Sequence, residues 1–262
     1  MEINIENKIK INSNQITGIM DQQQYLINYL KTINYSKNSI VVDGKKLNQK
    51  ELVNFKRKVS IIENYITDDY LDLTVYEYMK YKIFSEILDI KDYRKKIKDS
   101  LKIVGLSESY LDKKVSKLSK IEKQWVNFSI GLFSNPDVII LNRVFHSLDI
   151  INTKKIMRLL QQLVDQYNKV VVIYTNDAEV IYKFTSNTIV IKDENILVED
   201  LTENIFQDNI DLLLKNNIQV PKTIEFSYLV NTKKNVKLGY FRDIRDLIKD
   251  IYKKVWLDEI FT

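Results

Sequence analysis

Two short runs constrain this chain most: "VIIL" at residues 138–141 and "VVVIY" at 170–174. A strand with one face in water alternates apolar and polar residues, and these do not alternate. They are strand-sized and read as buried on both faces, the condition of a parallel or mixed sheet covered by helices. "QITGIM" (15–20) and "KVSIIE" (58–63) read the same way. Between them the spacing is helical over "QQYLINYLKTI" (23–33), from Thr74 to about Tyr110 with a break near Gly105, from Ser119 to Ser134, and over about 152–167. Ile3, Ile5, Ile9 and Ile11 alternate as in a short hairpin, "SIVVDGKKL" (39–47) is a strand entering an Asp-Gly turn, and "NTIVIKDENILVED" (187–200) is a strand, a turn and a strand. From Leu201 the pattern is mainly helical, broken at Pro221.

The expected class is therefore α/β, and several functions are excluded or disfavoured. Forty basic and 35 acidic residues leave a net charge of +5, dispersed: "YRKKIKDSLK" sets its lysines beside acids at helical spacing, a solvated face and not a nucleic-acid patch. No apolar run approaches the roughly 20 residues that span a bilayer. "MEINIENKIK" lacks the apolar core of a signal peptide, so a cytoplasmic chain is expected. Zero Cys removes thiolate chemistry and a single His removes a histidine metal cluster. In such sheets ligands bind beyond the carboxyl ends of the strands. The informative positions follow "QITGIM", "KVSII", "DVIIL" and "VVVIYT".

Taken together, those positions resemble the ATP-binding cassette (ABC) ATPases. "LSKIEKQWVNFSIGLFSNPDVIILNRVFHSLD" (118–149) is similar to the family stretch of signature, helix, N-P-D, apolar strand, D-E-P and S-A-L-D, and "LTVYEYM" (73–79) resembles the entrance of the helical subdomain. The tail, "IDLLLKNNIQVPKTIEFSYLV" and "FRDIRDLIKDIYKKV", resembles the C-terminal segment of ATPases in energy-coupling factor (ECF) importers. The resemblance implies a P-loop NTPase-like fold with a mixed, mostly parallel sheet. It implies a cassette domain over 1–200 with a helical subdomain at about 66–135, and a C-terminal helical extension over 201–262.

It also assigns places where chemistry is expected, and this chain departs at each. Where the family writes G-x-x-x-x-G-K-[ST] to cradle phosphates, the chain writes "GIMDQQQY": Gly18, then Gln23 for the second glycine, Gln24 for lysine and Tyr25 for the magnesium-binding hydroxyl. Asn142 and Arg143 stand for the aspartate and glutamate that serve magnesium and the attacking water; Asn142 is neutral, and Arg143 accepts no proton. Arg143 either pairs with a surface carboxylate or reaches an anion at the strand end. Asn64 stands for the glutamine that senses the membrane partner, and Asn176 for the histidine that grips the γ-phosphate. His146 falls in a turn. At the head-to-tail dimer interface the chain keeps Ser119, Gln124 and Asp149, but Lys120 and Ile121 replace bare glycine; Ser119 is equally a helix cap. No catalytic residue and no metal ligand is identified; no cofactor is expected, ATP and Mg²⁺ entering only if the site is competent.

Three functions follow. The first is a non-catalytic cassette subunit that pairs with an active ABC-type ATPase or a second copy, docked on a transmembrane coupling subunit through the groove near Asn64 and so held at the inner membrane face. The second is a divergent working ATPase. The third is a cassette fold used outside transport as a protein-interaction module, with exposed Tyr and Trp256 as contacts. No nucleic acid is expected as a partner.

Overall fold

A computed structural model of the chain describes residues 1–6, 8–33, 39–84, 92–234 and 236–256, with backbone alone at 147, 255 and 256. The Trp256 side chain and residues 85–91 of the expected helical stretch lie outside the described residues. In chain order the elements begin with β1 (Glu2–Ile5), β2 (Ile9–Asn12), β3 (Ile16–Asp21), α1 (Tyr25–Thr32), β4 (Ile40–Val42), β5 (Lys45–Lys46), α2 (Gln49–Arg57) and β6 (Val59–Glu63). Then come α3 (Val75–Phe84), α4 (Tyr93–Ile103), α5 (Lys120–Phe133), β7 (Val138–Asn142), α6 (Ile150–Tyr167) and β8 (Val170–Tyr174). The last are α7 (Ala178–Phe184), β9 (Asn187–Lys192), β10 (Asn195–Leu201), α8 (Thr202–Asp208), α9 (Ile210–Lys215), α10 (Lys222–Lys233) and α11 (Ile244–Ile251).

The chain divides into two compact units: Met1–Ile16 with Gln24–Tyr174, and Thr17–Gln23 with Thr175–Thr262. The reason lies in strand pairing: β3 runs parallel to β9, Gly18 opposite Thr188, so residues 17–23 group with the C-terminal part of the chain.

In the first unit β6, β7 and β8 are parallel, with Ile61, Ile140 and Val172 in one register row. Every residue of β7 and β8 is buried, which is why both are apolar without alternation. The expected N-terminal hairpin forms and joins β4 and β5 in an antiparallel sheet ordered β2-β1-β4-β5; Ile3, Ile5, Ile9 and Ile11 are its buried positions. The Asp43–Gly44 turn has both residues at positive φ, as a two-residue hairpin with right-handed strand twist requires. Helix α2 was not anticipated. Its signal is Asn48 with Glu51: each side chain caps the other's backbone N–H.

In the second unit β9 pairs antiparallel with β10 through the Asp193–Glu194 turn. Helix α7, also unanticipated, starts at Asp177, whose carboxylate accepts the N–H groups of Glu179 and Val180. Pro221 sits immediately before α10, where the break was expected. No helix among the described residues is long and apolar enough to cross a membrane.

Candidate functional site

The carboxyl ends of β6 and β7 lie side by side because the parallel register sets Glu63 opposite Asn142. Asn142 is 6% exposed, and its Nδ2 donates to Glu63 Oε2 at 2.7 Å. The other Glu63 oxygen meets Lys31 Nζ at 3.3 Å. Asn142 Oδ1 is buried with no hydrogen-bond partner among the described residues. The amide orientation is thus set by Glu63: turning it round would bring an oxygen against a carboxylate. Neither Glu63 nor Lys31 was singled out from the sequence; the strand register brings Glu63 to Asn142, and Lys31 reaches Glu63 from α1.

Arg143 forms no ion pair among the described residues, sits at φ 53°, and its N–H donates to Tyr174 O at 2.9 Å. His146 is exposed in the turn that follows, at the expected place.

Asn64 lies at the bend after β6, and its neighbours are fastened to α5. Asn127 Nδ2 donates to Glu63 O at 3.2 Å and Tyr65 O at 2.9 Å, while Asn127 Oδ1 accepts Tyr78 Oη at 3.0 Å. Burial pushes the Tyr78 phenol well above its ordinary pKa, so it stays a donor. Asn127 is a second residue that the sequence reading missed.

At the start of α5, Ser119 is a cap. Its Oγ accepts Glu122 N–H at 3.2 Å, and the Glu122 carboxylate accepts Ser119 N–H at 2.7 Å and Tyr110 Oη at 2.6 Å. The Tyr110 hydroxyl first, then the Ser119 N–H, hold Glu122 below the usual carboxylate range. A carboxylate therefore already fills the electropositive end of this helix. Ser119→Ala should cost about 1 kcal/mol in urea unfolding. The Glu122 contribution, from a depressed pKa, should be present above its unfolded pKa and fade as pH falls through the lower folded one. An unchanged midpoint would remove the cap from the argument.

Gln124 is 2% exposed, and its Nε2 donates to Val144 O at 2.6 Å, pinning the turn after β7. Lys120 is exposed. Asp149 caps α6, accepting Asn152 N–H at 2.7 Å and Asn152 Nδ2 at 2.9 Å, contacts that hold its carboxyl below the ordinary range. Just beyond it Ile150 and Ile151 are 71% and 67% exposed.

In the second unit Gly18 lies inside β3, and a Cβ there would come within 2.9 Å of Ile181 Cδ1 and Thr185 Oγ1, so the strand packs closely against α7 at this glycine. The strand continues to Asp21 and α1 opens at Tyr25, leaving only Gln22, Gln23 and Gln24 between them. Within this turn Gln23 N–H donates to buried Asp21 Oδ1 at 3.1 Å, Gln23 Nε2 to Asp193 Oδ1 at 3.2 Å, and Gln22 Nε2 to Asn217 O at 3.3 Å. Asn176 lines a cavity of about 170 Å³ with Gln22, Gln23 and Lys192. In the first unit Gln24 precedes α1 at φ 55° without a side-chain cap, and Tyr25 Oη donates to the Glu6 carboxylate. No group of three or more His, Cys, Asp or Glu able to hold a metal occurs among the described residues.

No protein-family model matches the chain. It is 26% identical over 218 residues to the energy-coupling factor transporter ATP-binding protein EcfA of Methanocaldococcus jannaschii, covering 82% of this chain and 77% of that one. It is 24% identical over 212 residues to EcfA2 of Mycoplasma mobile, covering 81% and 68%. Among solved structures it is similar to cbiO1 of Clostridium perfringens, part of the ABC transporter complex cbiONQ, with TM-score 0.62, 20% identity and 83% and 89% coverage. The ATP-binding cassette MJ0796 in a dimeric post-hydrolysis state with ADP and Pi gives TM-score 0.57 at 23% identity, covering 74% and 88%. The resemblance to ECF-type cassette ATPases stands, and the fold is the P-loop NTPase-like ABC ATPase fold.

Proposed function

We propose that this chain is a cassette subunit that does not hydrolyse ATP and acts as the structural or regulatory partner of an active ABC-type ATPase in an ECF-like transporter. The turn between β3 and α1 carries the reading. The phosphate-binding pattern needs four residues between its glycines, a lysine, and several free N–H groups. Here the turn has three residues, no lysine, and one of its N–H groups given to Asp21. The substitutions at Asn142, Arg143 and Asn176 agree with this, as does the Glu122 carboxylate at the start of α5. ATP and Mg²⁺ are then not cofactors of this chain.

Pairing with a second cassette is supported by Ile150 and Ile151, exposed beside Asp149. Docking on a transmembrane coupling subunit would use the groove beside Asn64, placing a cytoplasmic chain at the inner membrane face. The similar proteins are transporter ATP-binding subunits, which favours transport over an interaction module outside it. Arg143, which has no ion pair among the described residues, favours the rival reading of a divergent ATPase that lends its cation to phosphate.

Calorimetric titration with Mg-ATP decides between them. The expected result is no saturable binding up to about 1 mM, and none after Gln24→Lys, because the turn stays too short. A Kd below about 10 μM for the unmodified protein, or phosphate release abolished by Arg143→Ala, would overturn the proposal.

A further inference from the structure

The β6 strand pairs with β7 on one side, and no other described strand pairs with it. The direction of its backbone groups follows from two bonds. Lys58 O accepts Val138 N–H, so it points toward β7, and Glu63 O accepts Asn127 Nδ2 on the other side. Successive residues point their N–H and C=O groups to opposite edges. Val59 and Ile61 therefore present theirs outward, and no bond to those groups is found among the described residues.

A groove of about 330 Å³ touches all five residues of β6, with Ile130 and Gly131 of α5 on one flank and Lys31 of α1 on the other. Side chains of a strand alternate between faces, so only a groove along its edge touches five in succession. On one face Val59 and Ile61 also line an apolar cavity of about 130 Å³ with Leu30, Ile33, Ile40 and Phe55. Charge at the rim has a basic excess. Lys31 and Glu63, the one carboxylate among the lining residues, pair with each other, which leaves Lys82 in the groove and Lys56, Arg57 and Lys58 leading into the strand.

We propose that the edge of β6 takes up an extended segment of a partner protein as an added strand, with alternate apolar side chains toward the Leu30–Phe55 cavity and acidic residues at its ends. An open edge offers main-chain bonds, pockets beside it select alternate side chains, and the basic rim selects acidic flanks. This rests on, and deepens, the reading of the groove beside Asn64 as a docking site.

The test uses the whole protein and the peptide DDLTVTLDD. Fluorescence anisotropy should show binding tighter than about 1 mM, about tenfold weaker when the acidic ends are replaced by lysine. Two further peptides carry N-methyl groups at alternate residues, one on the odd positions and one on the even. Strand pairing on one edge requires that one set abolish binding and the other retain it. Ile61→Pro should remain folded, since the lost N–H points outward, and should lose the peptide. No binding at 1 mM, or equal effects of the two methylated sets, overturns the proposal. A positive parity result in a protein that recovers no membrane subunit would leave strand pairing standing and remove the transport reading. The reverse result would remove strand pairing alone.

Discussion

Asn142→Asp, which restores the residue that the cassette family carries, should destabilise this protein by about 3–5 kcal/mol at pH 7. The amide donates to Glu63 at 2.7 Å from a site only 6% exposed. With aspartate the donor disappears and two carboxylates stand within hydrogen-bond distance, where both do not ionise together. Lys31, on the far oxygen of Glu63 and half exposed, is a solvent-screened partner and neutralises little of the added charge. The new carboxyl therefore has a folded pKa above its unfolded value of about 4. Below that unfolded value both states are protonated and the penalty is small. As pH rises the unfolded chain releases its proton first, and stability falls until pH passes the raised folded value. Urea unfolding at pH 4 and pH 7 reads this directly. Millimolar MgCl₂ should not restore the loss. Equal stability of variant and parent at pH 7, or rescue by magnesium, would mean that the strand end still accepts a metal.

The second large effect is expected at Asn127. Asn127→Leu keeps the bulk but strands the buried Tyr78 hydroxyl and the partly buried carbonyls of Glu63 and Tyr65. Leaving buried polar groups unsatisfied costs about 1–3 kcal/mol each before relaxation, so a loss of about 2–4 kcal/mol is expected once water reaches the partly exposed ones. Hydrogen exchange should show the loop around Asn64 losing protection while β7 and β8 keep theirs. If the variant unfolded at the parental midpoint, Asn127 would not be the fastening between that loop and α5. A loop tied to α5 in this way agrees with the proposed role of a subunit that holds a partner.

Much of this molecule was legible in its sequence. The unbroken apolar runs of β7 and β8, the alternation of the N-terminal isoleucines and the helical spacing around Ser119 are local patterns, and each led to the element found. Helices α2 and α7 escaped because they are short, though their caps at Asn48, Glu51 and Asp177 were in plain sight. At Gly18 the sequence hides a packing demand. A glycine required by a turn and a glycine required by a neighbour's side chain look alike in a sequence, and only the approach of Ile181 and Thr185 distinguishes them. Gln124 is turned inward by a carbonyl twenty residues away.

The sequence by itself determined the fold, since burial on both faces demands unbroken apolar strands and helix faces demand their own spacing. The tertiary structure alone decided what the polar residues do. Glu63 meets Asn142 across 79 residues of chain because two strands share a register, and the three-residue turn after Asp21 is set by where a strand stops and a helix starts. Hydrophobic burial is nearly blind to partner identity and can be read locally. A hydrogen bond requires one atom at one distance, and that is fixed only when the chain has folded.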